Sequence, residues 1–244
     1  MIVLLTDFGI SDPYVGQVKA RIHELAPEQQ VVDLLHDAPD FNAHACAHLL
    51  PAFAPHFPAG TTFLCVVDPG VGTARDGVVL SADGHWFVGP DNGVLSVAAA
   101  RSADSKVWRI TWQPPLVSMT FHGRDIFAVI AAHIAKGEFP YDKLEIKPKL
   151  HVEFDAGDLP RIIYVDHYGN AWTGIRAEAI PQSAIIVAAH AEFRHAETFG
   201  AVGKGERFWF ANSVGLLELA VNRGSAAEKY ELKVGDLVQI IRPH

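Results

Sequence analysis

Short apolar, β-branched runs alternate with amphipathic stretches through the first half of the chain. Residues 2–6 and 31–35 read as strands on either side of a helical pattern over 15–25, a βαβ rhythm. Residues 62–67, 78–82 and 86–88 add strand patterns, and 43–53, 94–100 and 126–135 add helical ones. This predicts an α/β fold whose N-terminal domain is a mostly parallel sheet flanked by helices. A ligand of such a sheet should lie beyond the C-terminal ends of its strands. Between 138 and 160 the periodicity is broken by Pro140, Pro148 and Pro160. Short runs follow at 161–166, 184–188, 208–211 and 237–241, separated by Gly, Asn and Asp, as in a smaller C-terminal all-β, barrel-like domain. The expected division is an α/β domain over 1–150, a linker over 151–160 and a β domain over 161–244.

Composition narrows the function classes. An apolar fraction of 49% with 20% charge, over 244 residues, is that of a soluble protein with a substantial core. A net charge of −8 argues against a phosphate-neutralising surface, so no nucleic-acid partner is expected. Cys46 and Cys65 lie inside apolar runs without CxxC spacing, which predicts buried free thiols in a reducing compartment. The N-terminal MIVLLTDFG has no basic leader, and its apolar stretch is too short for a signal or membrane segment. A cytoplasmic location with no membrane partner is expected.

Four clusters sit at strand ends or helix starts: Thr6-Asp7-Phe8-Gly9, Asp68 through Arg75 (DPGVGTAR), Pro90-Asp91-Asn92-Gly93, and Phe121-His122-Gly123-Arg124-Asp125. Asp7 can accept hydrogen bonds from a vicinal diol such as that of ribose, or serve as an Asx turn or helix cap. Gly70 and Gly72 allow the 68–75 loop to fold tightly and return Arg75 toward Asp68, as a catalytic pair or an ordinary loop ion pair. The glycine spacing matches neither the Walker loop nor GxGxxG. His122 can bond a carboxylate or position water, or be a helix-start residue. Arg124 and Asp125 read as structural, and PDNG as a turn in a supporting role. His44 and His48 stand four apart on a predicted helix without the HExxH glutamate or a third ligand, so no metal site is expected. In the second half, Asp166-His167-Tyr168-Gly169-Asn170 and Asn212-Ser213-Val214-Gly215 each close a strand. Asn can present both a donor and an acceptor to a base edge, and Tyr168 can stack on it.

Together, TDFG, DPGVGTxR, PDNG, FHGRD, DHYGN and NSVGLLELAVNRGSA resemble the S-adenosylmethionine hydroxide adenosyltransferases, hydrolases related to fluorinase and chlorinase. The resemblance spans nearly the whole chain. It implies hydrolysis of S-adenosylmethionine to adenosine and methionine without a cofactor, by a homotrimer with sites between neighbouring subunits. By position, Asp68, Arg75 and His122 would handle the water, and Asp7, with Phe8 beside it, would bind the ribose. Asp166 and Ser213, with Asn212 beside it, would hold the methionine end, and Tyr168 and Asn170 the adenine. The sequence departs from the fluorinase-like members, which carry Tyr at Asp68, Thr at Val71 and Ser at Gly123. It also has Val214 and Val221 where those enzymes have arginines, and Tyr168 for the usual Phe.

Overall fold

The computed structural model describes residues 1–242, so the last two residues of the expected 161–244 domain lie outside the described residues. The chain forms two compact units, Met1–Ala156 and Gly157–His244, each with one seven-stranded sheet.

The first unit runs β1 (Ile2–Thr6), α1 (Pro13–Leu25), β2 (Val31–Leu35), α2 (Ala43–Phe53), β3 (Thr62–Val66), β4 (Gly77–Ala82) and β5 (His85–Pro90). It continues with α3 (Ser96–Arg101), β6 (Lys106–Ile110), a π-helical turn at Gly123–Phe127 leading into α4 (Ala128–Ala135), and β7 (Leu144–Lys147). The strand order is β2-β1-β3-β5-β4-β6-β7. The class is α/β, but the expectation of a mostly parallel sheet is corrected: three pairings are parallel (β1–β2, β1–β3, β3–β5) and three antiparallel (β4–β5, β4–β6, β6–β7). The cause is a two-residue turn, Asp83-Gly84, with φ of 48° and 75°. Positive φ at both positions folds a strand straight back on its neighbour, so β4 and β5 form a hairpin and not a crossover.

The parallel half carries the consequence for function. Thr6 of β1 registers with Val66 of β3, so these adjacent strands end side by side and deliver Asp7 and Asp68 to one edge. Alternate residues bury both faces of the sheet. Ile2, Leu4, Leu64, Val66 and Val88 pack against Val18 and Ile22 of α1 and the apolar α4, while Val3, Leu5, Phe63 and Cys65 are equally buried on the opposite side. Pro13 at the start of α1 and Asn42 before α2 set the helix entries, the Asn42 Oδ1 accepting the Ala45 N–H at 3.0 Å.

The second unit comprises β8 (Leu159–Val165), β9 (Ala171–Arg176), β10 (Ile185–Ala188), β11 (Ala191–His195), β12 (Arg207–Ala211), β13 (Leu216–Val221), α5 (Ala226–Tyr230) and β14 (Val238–Ile241). Its order is β14-β10-β11-β12-β13-β9-β8. The edge strand β8 bridges back to the start of β14 at Arg161 and Leu237, so the sheet is nearly a barrel. Trp209, Phe193, Ile186, Leu217 and Leu219 fill it, and the Trp209 indole N–H donates to the Ala184 carbonyl at 3.0 Å. Residues 151–156 are tied to the first unit through the His151 N–H on Asp91, the Phe154 N–H on Ser96, and Arg101 on the Ala156 carbonyl.

Candidate active site

Asp68 stands two residues beyond β3 with its side chain 5% exposed, facing Arg75 at 11%. The guanidinium grips both carboxylate oxygens: Nε donates to Oδ1 at 2.8 Å and Nη2 to Oδ2. Bidentate pairing of this kind fixes both groups in orientation. Nη1 donates to the Asp76 carbonyl at 3.2 Å, and the guanidinium carbon lies 5.1 Å from the Phe127 ring centroid. Nη2 also reaches Nδ1 of His122 at 3.3 Å. A guanidinium has no acceptor, so His122 must accept at Nδ1 and carry its proton on Nε2. Burial, then the Arg75 charge, hold the imidazole below its ordinary pKa of 6.5, against smaller opposing effects of Asp68 and Asp125. It is therefore neutral at physiological pH, with an Nε2–H to offer. Arg75 thus stands between the carboxylate and the imidazole.

The loop that returns Arg75 to Asp68 depends on Gly72. Its φ is +80°, and a Cβ there would lie 2.6 Å from the Met119 carbonyl oxygen. The Thr73 hydroxyl closes the same loop onto the Gly70 carbonyl at 2.7 Å. Asn92 of PDNG donates to the Val67 carbonyl at 2.7 Å, clamping the residue before Asp68. Asp91 is buried and accepts from Lys147 at 2.5 Å and from the His151 N–H at 2.9 Å, so this motif supports the site from behind. Arg124 pairs with Asp125 and Gln17, and Asp125 accepts the Ser118 N–H; both are structural.

Asp7 lies on the same edge as Asp68. Its Oδ2 accepts the Phe41 N–H at 3.2 Å. Burial raises its pKa above 3.8, with Asp40 and Asp68 adding to this and the Phe41 N–H opposing it. Phe8 packs edge-on against Phe121 at 5.7 Å between centroids. A Cβ on Gly123 would stand 3.1 Å from the Phe8 ring, so a serine there would press on it. Cys46 and Cys65 are buried free thiols, and burial pushes the Cys46 pKa up to about 12, which keeps it from acting as a nucleophile. His44 packs on Phe154 at 4.4 Å and beside His48, and no group of three or more metal-ligating side chains occurs among the described residues.

The other candidates line a cavity of about 760 Å³ within the second unit, which includes Asp166, Tyr168, Asn170, Asn212 and Ser213. Asp166 heads the β8–β9 turn: Oδ1 accepts the N–H groups of Tyr168 and Asn170, both at 2.9 Å, and Oδ2 accepts Nδ2 of Asn170 at 3.1 Å. Gly169 presses this turn against Ser225, leaving no room for a Cβ. The Tyr168 ring is 75% exposed, free to cover a flat ligand. Asn212 holds its own turn, Oδ1 accepting the Val214 and Leu216 N–H groups at 3.1 and 2.9 Å. Its Oδ1 thereby shapes the turn that presents Ser213.

Sequence reasoning missed the aromatic walls Trp172, Phe199 and Phe210, and the buried Glu218. Burial, helped by Asp166, raises the Glu218 pKa to about 7, against the smaller opposing influence of the nearby Asn212 and Asn170 amides. The signal available was a lone carboxylate inside LLELAV, since such a residue is seldom buried without partners.

Comparisons with known proteins show the family. The family model for the SAM hydroxide adenosyltransferase N-terminal domain matches residues 2–145, and that for the C-terminal domain matches 160–239. The chain is 36% identical to an (R)-S-adenosyl-L-methionine hydrolase of Thermus thermophilus, covering 98% of this chain and 99% of the relative. It is 34% identical to one of Salinispora arenicola, over 96% and 95%. A fluorinase of Actinopolyspora mzabensis is 25% identical over 99% and 97%. A crystal structure of an uncharacterized conserved protein from Thermotoga maritima superposes with a TM-score of 0.90 at 34% identity, over 99% of this chain and 100% of that one. The chain belongs to the SAM hydroxide adenosyltransferase family.

Proposed function

We propose that this enzyme hydrolyses S-adenosyl-L-methionine to adenosine and L-methionine by in-line attack of water on the ribose C5′. The observation that carries the reading is the Asp68–Arg75–His122 chain at the strand edge shared with Asp7. The water oxygen bonds to C5′ as the C5′–S bond breaks, and the bonding pair leaves with sulfur as a neutral thioether. The leaving group needs no protonation, so the demand falls on the water. Both Asp68 oxygens already accept from Arg75, and each retains lone-pair capacity for the water proton. Arg75 opposes charge developing on the nucleophile, and His122 holds the guanidinium in place while presenting Nε2–H.

Asp7 binds the ribose diol beside Phe8, Tyr168 and Asn170 take the adenine, and Asp166 and Ser213 the methionine ammonium and carboxylate. Holding the two ends of the substrate separately fixes the line of attack. Large apolar side chains are exposed near Asp7 and the 68–75 loop, among them Ile10, Phe41 and Met119. Such a patch supports a covered surface, and we read the assembly as a homotrimer in which neighbouring chains complete each site.

Incubation with the R-sulfonium epimer is expected to release adenosine and methionine in equal amounts, without dependence on halide and undiminished by chelator. Bound adenosine with no product over long incubation would convert the reading to a binding protein, and a halogenated nucleoside to a halide-using one. A pH profile tests the imidazole. Because His122 titrates below its ordinary range, kcat at saturating substrate should hold as pH falls through 6.5 and drop only beneath it, where a protonated ring can no longer accept from Arg75. Loss of kcat at or above 6.5 contradicts the neutral tautomer.

A further inference from the structure

Side chains alternate along β13. Leu217, Leu219 and Val221 fill the barrel, so Glu218 points to the opposite face, where its sheet neighbours Phe210 and Trp172 flank it. There it is 3% exposed and lines the cavity. None of the described residues reaches its carboxyl in hydrogen-bonding geometry: Asn170 Nδ2 goes to Asp166 Oδ2 at 3.1 Å, and Asn212 Nδ2 is buried without an acceptor. A carboxyl taken out of water with no donor is a standing cost to the fold. That cost is offset when a ligand entering the cavity brings the donor.

The same cavity holds a second carboxylate. Asp166 spends Oδ1 on two backbone N–H groups and one position of Oδ2 on Asn170, which leaves it one open acceptor position. Two carboxylates on one cavity repel, and Asp166 adds to the burial that raises the Glu218 pKa to about 7. Arg223 lines the cavity too, and among the described residues it forms an ion pair with neither. An uncharged donor, such as the amino group of a base, would leave that repulsion in place. A cation with several N–H groups removes it, and the flanking aromatic rings favour a cation.

We propose that Glu218 contacts the α-ammonium at the methionine end of the substrate, sharing it with Asp166, and so makes this cavity selective for ligands that carry an amino-acid tail. An ammonium has three N–H groups, more than the one position open on Asp166 can accept. The sulfonium, the other cation of the substrate, has no N–H to offer. This rests on the adenosyl reading above.

The test is calorimetric titration of the full-length protein with S-adenosylhomocysteine, the thioether analogue of the substrate, and with its desamino counterpart, which lacks only the α-amino group. Wild type should prefer the amino form by roughly tenfold or more. Glu218→Gln should lose most of that preference and bind the desamino form as wild type does. Because the carboxyl has no donor in the free protein, the same variant should melt at or above the wild-type temperature. An equal preference in both proteins places the ammonium elsewhere, and an equal loss of both ligands makes Glu218 a contact of the nucleoside or a residue of the fold. Either result overturns the proposal, as does a lowered melting temperature. If wild type binds neither S-adenosylhomocysteine nor adenosine, the adenosyl reading fails instead, and the proposal with it.

Discussion

Asp68→Ala is expected to reduce turnover by about a thousandfold or more while leaving adenosine affinity within roughly threefold of wild type. The carboxylate is placed by its strand end and gripped at both oxygens by Arg75, so its removal deletes the proposed proton acceptor and releases the guanidinium. Affinity should survive because the nucleoside anchors are elsewhere. It should rise slightly, since the Asp68 charge raises the pKa of Asp7 and its loss favours the ionised carboxylate proposed to bind the diol. The stability cost is separate: Arg75 is left 11% exposed with no carboxylate, a defect on the order of 3 kcal/mol. An Asp68→Ala, Arg75→Ala double variant should recover part of that stability and none of the turnover. Single-turnover rates, adenosine titrations and thermal melts separate these effects. Parallel loss of binding and turnover in the single variant would reduce Asp68 to a structural ion pair.

The layout of the candidate site is legible in part, because Asp7 and Asp68 follow strand ends that the parallel β1–β3 pairing brings side by side, while His122 opens a helical turn. Asp68 and Arg75, seven residues apart, come together because two glycines permit the loop, and Gly72 has no tolerated alternative against Met119. What was lost has equally local causes. The hairpin signal is the Asp83-Gly84 pair, whereas the periodicity of 78–82 by itself reads as one more parallel strand. Exposed and mixed sequences at β6 and β7 hide strands whose order depends on antiparallel partners far along the chain.

Glu218 escaped for the opposite reason. Its strand is an apolar run, and nothing in LLELAV says that the single carboxylate would line a cavity with two asparagines from separate turns. The candidate clusters of the two units share one feature. Each functional amide, imidazole or carboxylate is oriented by a second group that is itself fixed by backbone: Asn92 on Val67 behind Asp68, and Asp166 on its own turn behind Asn170. In the proposed reaction, orientation fixed in this way before substrate arrives would favour water as the nucleophile.

Asp7→Ala is expected to weaken adenosine binding by about a hundredfold, on the order of 3 kcal/mol for two charge-assisted hydrogen bonds. Oδ2 spends one lone pair on the Phe41 N–H, leaving capacity on both oxygens for the ribose hydroxyls. Loss should be specific to the diol: wild type should discriminate against 2′-deoxyadenosine by roughly tenfold, and the variant should not. The sign of the pH response is fixed by burial, which raises the Asp7 pKa above 3.8. Wild-type affinity should fall as pH drops through that raised value, because a protonated carboxyl loses an acceptor and must itself donate. The Asp7→Ala protein should show no such limb. Isothermal titration with both nucleosides reads each outcome, and a variant that still distinguishes ribose from deoxyribose would place the diol anchor on another residue.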